Sequence, residues 1–115
     1  MHLVRFRSFA EFWPFYVGEH AKPLTRKVHF LGTTGGLACA LAALVQGDPL
    51  WLAGAPLIGY GCAWVSHFFI EKNRPATFRY PLYSLAGDFF MYQKMWLGQM
   101  DVEVARVIAL ERAAS

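Results

Sequence analysis

Charged residues are scarce in this chain of 115 residues, and their scarcity limits the kinds of protein it can be. Asp, Glu, Lys and Arg make up 17% of the residues, whereas they make up about a quarter of an average soluble domain. Hydrophobic residues account for 56%, and the mean hydropathy is +0.28. Between Val28 and Ile70, Asp48 is the only charged side chain, histidines aside. Because a soluble domain rarely contains so long an uncharged run, we predict one integral-membrane domain over residues 1–115.

Cysteine is also scarce, and its placement indicates no site. Cys39 and Cys62 both lie in apolar runs and lack the paired spacing of zinc sites. We interpret them as small apolar residues in helix packing. A cleaved leader is not indicated either, because the first long apolar run starts near Val28 and no small-residue cleavage site follows it.

Basic residues cluster on both sides of the apolar region and give the chain a net charge of +3. A nucleic-acid-binding protein would present them on one exposed face, so we expect no nucleic-acid partner. Their position instead favours anionic lipid headgroups. The positive-inside tendency predicts that both termini are cytoplasmic, in a bacterial inner membrane or, in a eukaryote, the endoplasmic reticulum.

The uncharged run divides at the turn sequence QGDP, residues 46–49. We predict an all-α membrane protein built on a transmembrane helical hairpin, about residues 28–46 and 50–71. A loop this short makes the two helices antiparallel neighbours. Interfacial amphipathic helices are predicted on either side, an aromatic one within residues 6–17 and a longer one from about 84 to 112.

Small residues recur at four-residue steps along one face of each predicted span. They are Gly32, Gly36 and Ala40 in the first span and Ala55, Gly59 and Ala63 in the second. Such stripes allow membrane helices to approach closely. We expect the two stripes to face each other within the chain, or alternatively to form a contact in a homo-oligomer.

Two histidines occupy the same depth at the ends of these stripes. His29 lies 18.5 residues from the centre of the turn (47.5 − 29), and His67 lies 19.5 residues from it (67 − 47.5). At a rise of about 1.5 Å per residue, the two imidazoles are at nearly equal depth. Glu71 follows His67 by four residues on the same helix face. His20 precedes the turn at Pro23 and can fold over this cluster.

Three histidines and a carboxylate are typical ligands of a first-row metal ion. Two histidines with a carboxylate are the ligand set of non-haem Fe(II) oxygenases, which leave positions open for substrate and O₂. We therefore predict His20, His29, His67 and Glu71 as metal ligands and catalytic residues. The alternatives are that the histidines only anchor the membrane interface and that Glu71 is an ion-pair partner.

Basic side chains follow Glu71 directly. Lys72, Arg74 and Arg79 are predicted to bind an anionic headgroup or fatty-acid carboxylate, which Arg recognises in a bidentate manner. The alternative is that they anchor the chain at the cytoplasmic face.

Two further polar residues are predicted to support the site from behind the ligands. Asn73 either does so or satisfies backbone groups freed by Pro75. Asp88 either hydrogen-bonds a ligand histidine or caps the C-terminal helix.

Two stretches of sequence carry a resemblance to a known family. They are FYVGEHAKPLTRKVHFLGTT, residues 15–34, and GYGCAWVSHFFIEKNRPATFRYPLYSLAGDFFMY, residues 59–92. Together they resemble the Mpo-like family of membrane proteins, named for the metabolism of phytosphingosine to odd-numbered fatty acids. The resemblance extends over about residues 13–92.

The resemblance implies an oxidoreductase of fatty-acid alpha-oxidation and sphingolipid breakdown. Such an enzyme uses Fe(II) and O₂ to shorten a 2-hydroxy fatty acid by one carbon. The histidines that the family needs for activity correspond to His20, His29 and His67. This chain departs from the characterised members in its short turn and in its long helical tail after Tyr92, so the chemistry is expected to be shared more closely than the substrate.

Two other functions compete with the dioxygenase. A non-enzymatic lipid-binding or scaffold protein would use the histidines only as interfacial anchors. A lipid hydroxylase or desaturase of the di-iron membrane type would need many more histidines than the four in this chain.

Overall fold

The computed structural model describes residues 5–114, which form helices and connecting turns without any strand. The prediction of an all-α protein is therefore confirmed for this part of the chain. The elements are α1 (Phe9–Gly18), α2 (Pro23–Gln46), α3 (Leu50–Val65), a π-helical turn (Ser66–Glu71), a 3₁₀ turn (Ala76–Phe78), α4 (Pro81–Trp96) and α5 (Met100–Ala114).

The chain divides into two compact units. The hairpin unit, Lys22–Pro75, contains α2, α3 and the π-helical turn. The terminal unit combines the chain up to Ala21 with the chain from Ala76 onward, and it contains α1, α4 and α5.

The ends of α2 follow from local chemistry. Pro23 is its first residue, where a missing backbone N–H costs nothing, and Lys22 before it is extended. Gly47 ends the helix with φ of 65°, a left-handed conformation that glycine adopts without strain. The side chain of Asp48 then accepts the N–H of Leu50 as α3 begins. The predicted turn at residues 46–49 is confirmed.

Small residues form the contact between α2 and α3. A Cβ on Gly32 would lie 2.7 Å from the Cβ of Cys62, and one on Gly36 would lie 3.2 Å from the carbonyl oxygen of Ala55. The backbones thus approach so closely that a side chain at Gly32 has no room. The predicted contact between the two stripes is confirmed within one chain.

Membrane-spanning length is reached by α2. Among the described residues it is the one helix long and apolar enough to cross a membrane, with 24 residues and a hydropathy of 1.7. On its own α3 has 16 residues. One such helix is weak support for a membrane protein, and it does not confirm the predicted pair of spans.

The terminal unit is built around the aromatic face of α1. Ser8 caps this helix by accepting the N–H of Glu11. Phe12, Tyr16 and Val17 on α1 are all 0% exposed. The buried core around them also contains Trp13, Ala76, Met91, Met100, Val104 and Val107. Part of the aromatic segment predicted to lie at a membrane interface is therefore covered by the protein itself.

The predicted C-terminal helix over 84–112 is wrong in one respect, because it is two helices. Gly98 interrupts it with φ of 68°. The N–H of Gln99 bonds the carbonyl of Lys94, and the N–H of Gly98 bonds that of Met95. This Schellman arrangement ends α4. Apolar residues recur at helical period on both sides of the break, so the periodicity did not reveal it.

Candidate metal site

Two of the predicted ligands face each other in the hairpin unit. His29 on α2 and His67 on the π-helical turn have ring centroids 5.2 Å apart, with ring planes at 83°. Both side chains are buried, at 5% and 3% exposure. The depth count across the turn therefore placed these two imidazoles correctly.

The backbone around His67 departs from an α-helix. Six residues, Ser66–Glu71, form a π-helical turn, a local irregularity that is frequent at functional sites. Lys72 then adopts φ of 61°, which is unusual for a residue with a side chain. The chain folds back, and the N–H of Asn73 donates to the carbonyl of His67. This loop brings the side chain of Asn73 to the His67 ring.

Asn73 fixes the protonation form of His67. Its Oδ1 lies 2.7 Å from Nδ1 of the imidazole. Because an amide oxygen only accepts, Nδ1 must carry the proton, and the lone pair of the neutral ring is left on Nε2. A metal-ligating histidine is ordinarily held in this way from its far nitrogen. Asn73 therefore contacts His67, and its role in supporting a metal ligand stays a prediction.

His20 has an equivalent arrangement in the terminal unit. Its side chain is 1% exposed, and its Nδ1 lies 2.7 Å from the backbone carbonyl oxygen of Tyr16. A carbonyl can only accept, so Nδ1 again carries the proton and Nε2 carries the lone pair.

The ring of Tyr16 lies against the same histidine. The two ring centroids are 4.1 Å apart and the planes are nearly parallel, at 24°. The Tyr16 hydroxyl donates to Oδ1 of Asp88 over 2.5 Å. Burial raises the pKa of Asp88 to about 6, although the bond from Tyr16 opposes that shift. Burial, followed by the nearby Asp88 charge, raises the pKa of Tyr16 well above its usual value.

Three buried histidines could serve as metal ligands: His29 and His67 in the hairpin unit, and His20 in the terminal unit. Imidazole nitrogens suit first-row ions such as zinc, copper and iron, so a group of this kind could hold a metal ion. The donor chemistry fits, because His20 and His67 both direct their protons toward oxygen acceptors. Three of the four predicted ligands belong to this group.

Glu71, the fourth, makes different contacts. Its Oε2 accepts the backbone N–H of Lys22 and the hydroxyl of Thr25, both over 2.7 Å. Lys22 provides no side-chain cap for α2, so the carboxylate satisfies donors at the helix N-terminus, where negative charge is favoured. A role for Glu71 as a metal ligand stays a prediction.

The basic residues predicted to bind substrate lie at the surface. Lys72, Arg74 and Arg79 are all exposed, and the Arg79 guanidinium lies 5.7 Å from the ring centre of Tyr80. Their substrate role stays a prediction. Arg26, in contrast, is only 4% exposed, although it belongs to the basic residues that flank the apolar region.

Tyr16, whose ring lies against His20, and Thr25, whose hydroxyl donates to Glu71, are buried polar side chains that sequence reasoning missed. Both are 0% exposed. A signal for each existed in the spacing, because Tyr16 is four residues before His20 and Thr25 is four residues before His29. On a helix, this spacing puts the two members of a pair on one face.

The fold and the site define an all-α protein with a candidate metal centre of three histidines. A family model described as 2-hydroxy-palmitic acid dioxygenase Mpo1-like matches residues 6–100. The chain therefore belongs to the Mpo1-like family, which confirms the resemblance seen in the sequence. The match includes all three histidines. Comparisons with curated proteins and with solved structures gave no match.

Proposed function

We propose that this protein is an Fe(II)-dependent dioxygenase of fatty-acid alpha-oxidation, which shortens 2-hydroxy fatty acids by one carbon. The observation that carries the proposal is the group of three buried histidines in a chain of the Mpo1-like family. Its ligands would be His20, His29 and His67.

The overall reaction needs no separate reductant. A 2-hydroxy acid and one O₂ give the carboxylic acid that is one carbon shorter, together with CO₂ and water. The C1–C2 bond breaks, and the substrate supplies all four electrons that O₂ takes up. A bound Fe(II) would supply the redox chemistry with O₂ and a Lewis acid for the substrate oxygens.

The protein's own residues would hold and shield that centre. Asn73 and the carbonyl of Tyr16 keep the imidazoles of His67 and His20 in the ligating form. Burial of all three histidines excludes bulk water. We propose that Arg74 and Arg79, with Lys72, attract the substrate carboxylate.

We propose further that the hairpin crosses the membrane twice, with both chain ends in the cytoplasm. The π-helical turn extends α3 directly, and the two together have 22 residues (16 + 6), enough for a hydrocarbon layer of about 30 Å. Large apolar side chains are exposed around both helices, which suits lipid contact. They include Leu31, Leu41, Leu44, Leu50, Leu57, Val65 and Phe69.

The activity is tested with protein purified without oxygen and loaded with Fe(II). We expect 2-hydroxypalmitate and O₂ to give the C15 acid, detected by mass spectrometry, and we expect His67→Ala to give none. Phe69→Ala is the matched control, because Phe69 belongs to the same π-helical turn but is 74% exposed. Absence of product from the loaded parent protein, or equal product from His67→Ala, contradicts the proposal.

Metal content separates this enzyme from a lipid-binding scaffold. The scaffold predicts purified protein with almost no iron and no change on substitution of His29. The dioxygenase predicts stoichiometric uptake of Fe(II) that His29→Ala abolishes.

A further inference from the structure

We propose that Tyr16 is a positioning residue for His20: held at both ends, its ring fixes the orientation and the Nδ1–H tautomer of that imidazole. The effect of this role on metal binding rests on the proposed function. The effect on His20 itself does not, because it concerns the protein without metal.

Tyr16 contacts His20 in two independent ways. Its backbone carbonyl accepts the Nδ1 proton, and its ring covers the imidazole face at 4.1 Å. The ring limits rotation of the imidazole about its side-chain bonds and so keeps Nδ1 in place to donate to the carbonyl. That hydrogen bond in turn fixes which nitrogen is protonated, so a displaced ring would release both the orientation and the tautomer. Together they determine where Nε2 points.

The Tyr16 ring is itself prevented from moving. Its hydroxyl is bonded to Asp88 on α4, and the indole of Trp13 stacks nearly parallel to it, at 13° and 5.5 Å. The residue is 0% exposed. A ring enclosed on all sides and bonded at its far end can transmit its position to His20.

Gly87 provides the space that this ring occupies. A Cβ on Gly87 would lie 2.8 Å from two ring carbons of Tyr16 and 3.1 Å from a third. Real Cβ contacts are essentially never that short, so a methyl group at Gly87 must displace the ring. Gly87 has an ordinary helical backbone within α4, so close packing against Tyr16 is the reason for glycine here.

The first test is made on metal-free protein by ¹⁵N NMR of the imidazole groups. We expect one tautomer for His20 in the parent protein, with the proton on Nδ1. Tyr16→Phe, which adds no atoms, and Gly87→Ala should both give a mixture of tautomers. Tyr80→Phe is the matched control, because it removes a hydroxyl that accepts the N–H of Phe6 in the same aromatic cluster. It should leave the His20 signal unchanged.

The second test measures affinity for cobalt(II) by competition with a chelator. Tyr16→Phe and Gly87→Ala should each weaken binding about tenfold, the usual effect of losing a partner behind a ligand. Gly61→Ala is the control for glycine substitution, because a Cβ there meets nothing within 4 Å. It should bind cobalt(II) as the parent does.

Asp88 distinguishes position from charge. Asp88→Asn keeps an oxygen that accepts the Tyr16 hydroxyl, so we expect affinity within about twofold of the parent. Asp88→Ala removes that acceptor and should weaken binding as Tyr16→Phe does. Equal losses for Asp88→Asn and Asp88→Ala would show that the charge acts instead, and would overturn the proposal.

The two tests fail separately. If the parent protein takes up no metal ion, the proposed function fails, while the NMR measurement still decides the role of Tyr16. If Tyr16→Phe and Gly87→Ala keep the parent tautomer, the positioning role is refuted, whatever the metal content. Should Gly87→Ala not fold, Tyr16→Phe decides the matter.

Discussion

Replacement of Glu71 decides between its two roles, helix cap and metal ligand. Its carboxylate accepts the N–H of Lys22 and the hydroxyl of Thr25, and so closes the N-terminus of α2. Glu71→Ala removes both acceptors. Glu71→Gln keeps one amide oxygen that can accept from the same donors and removes the charge.

The magnitudes follow from these contacts. Loss of a helix cap costs about 1 kcal/mol, and loss of the acceptor for the buried Thr25 hydroxyl costs about 1 kcal/mol more. The unfolding entropy of a chain this size gives about 4 °C in Tm per kcal/mol, so Glu71→Ala should lower Tm by about 8 °C. Glu71→Gln loses only the charge at the helix terminus, about 0.5 kcal/mol or about 2 °C.

Thermal unfolding followed by circular dichroism measures both variants. Thr25→Val removes the hydroxyl at nearly constant size, so a double-mutant cycle with Glu71→Ala isolates the Thr25 bond. Equal losses for Glu71→Gln and Glu71→Ala would refute the capping argument. A cobalt(II) titration completes the assay: a cap leaves the metal affinity of Glu71→Gln unchanged, whereas a tenfold loss in a folded variant identifies a ligand.

Three further substitutions test the fold and its electrostatics. Lys72→Gly should raise the unfolding free energy by about 1 kcal/mol, because Lys72 has φ of 61° and glycine adopts that conformation without strain. Thermal unfolding checks this, and a Tm below that of the parent protein would contradict it. Gly36→Leu should disrupt the packing of α2 on α3 and lower Tm, because even a Cβ at this position meets a backbone carbonyl at 3.2 Å. Gly61→Leu is the control and should be tolerated, because a Cβ at Gly61 meets nothing within 4 Å. Equal Tm values for the two variants would contradict this prediction. The Arg106 side chain donates to the Glu103 carboxylate and lowers the pKa of Glu103 from 4.5 to about 2. Its contribution to stability should therefore be complete above pH 4.5 and be lost as the pH falls toward 2, and acid titration of unfolding should show a smaller loss over that range for Glu103→Gln.

Helix geometry explains why part of the site could be read from the sequence. A short turn fixes the register of two antiparallel helices, so counting residues outward gives the relative depth of His29 and His67. The small-residue stripes indicate which face of each helix meets the other helix, and so predict that His29 and His67 face each other. Both quantities depend only on local periodicity, and the structure confirms both, with ring centroids 5.2 Å apart.

The other contacts depend on chain segments far apart in sequence. Glu71 reaches Thr25 across 46 positions, and Tyr16 reaches Asp88 across 72. Spacing along the chain carries no information about such distances. The sequence therefore predicted Glu71 as a metal ligand or an ion-pair partner, and it left two roles open for Asp88.

Alone, the amino-acid sequence determined that this chain is helical, that its apolar middle folds back at residues 46–49, and which histidines can meet. Each of these depends on neighbours within a few turns of helix. Tertiary packing decided the rest, namely the break at Gly98, the carboxylate at the start of α2, and the buried tyrosine held against His20. Those features depend on packing and hydrogen bonds between residues that are distant in sequence, and local periodicity does not encode such contacts.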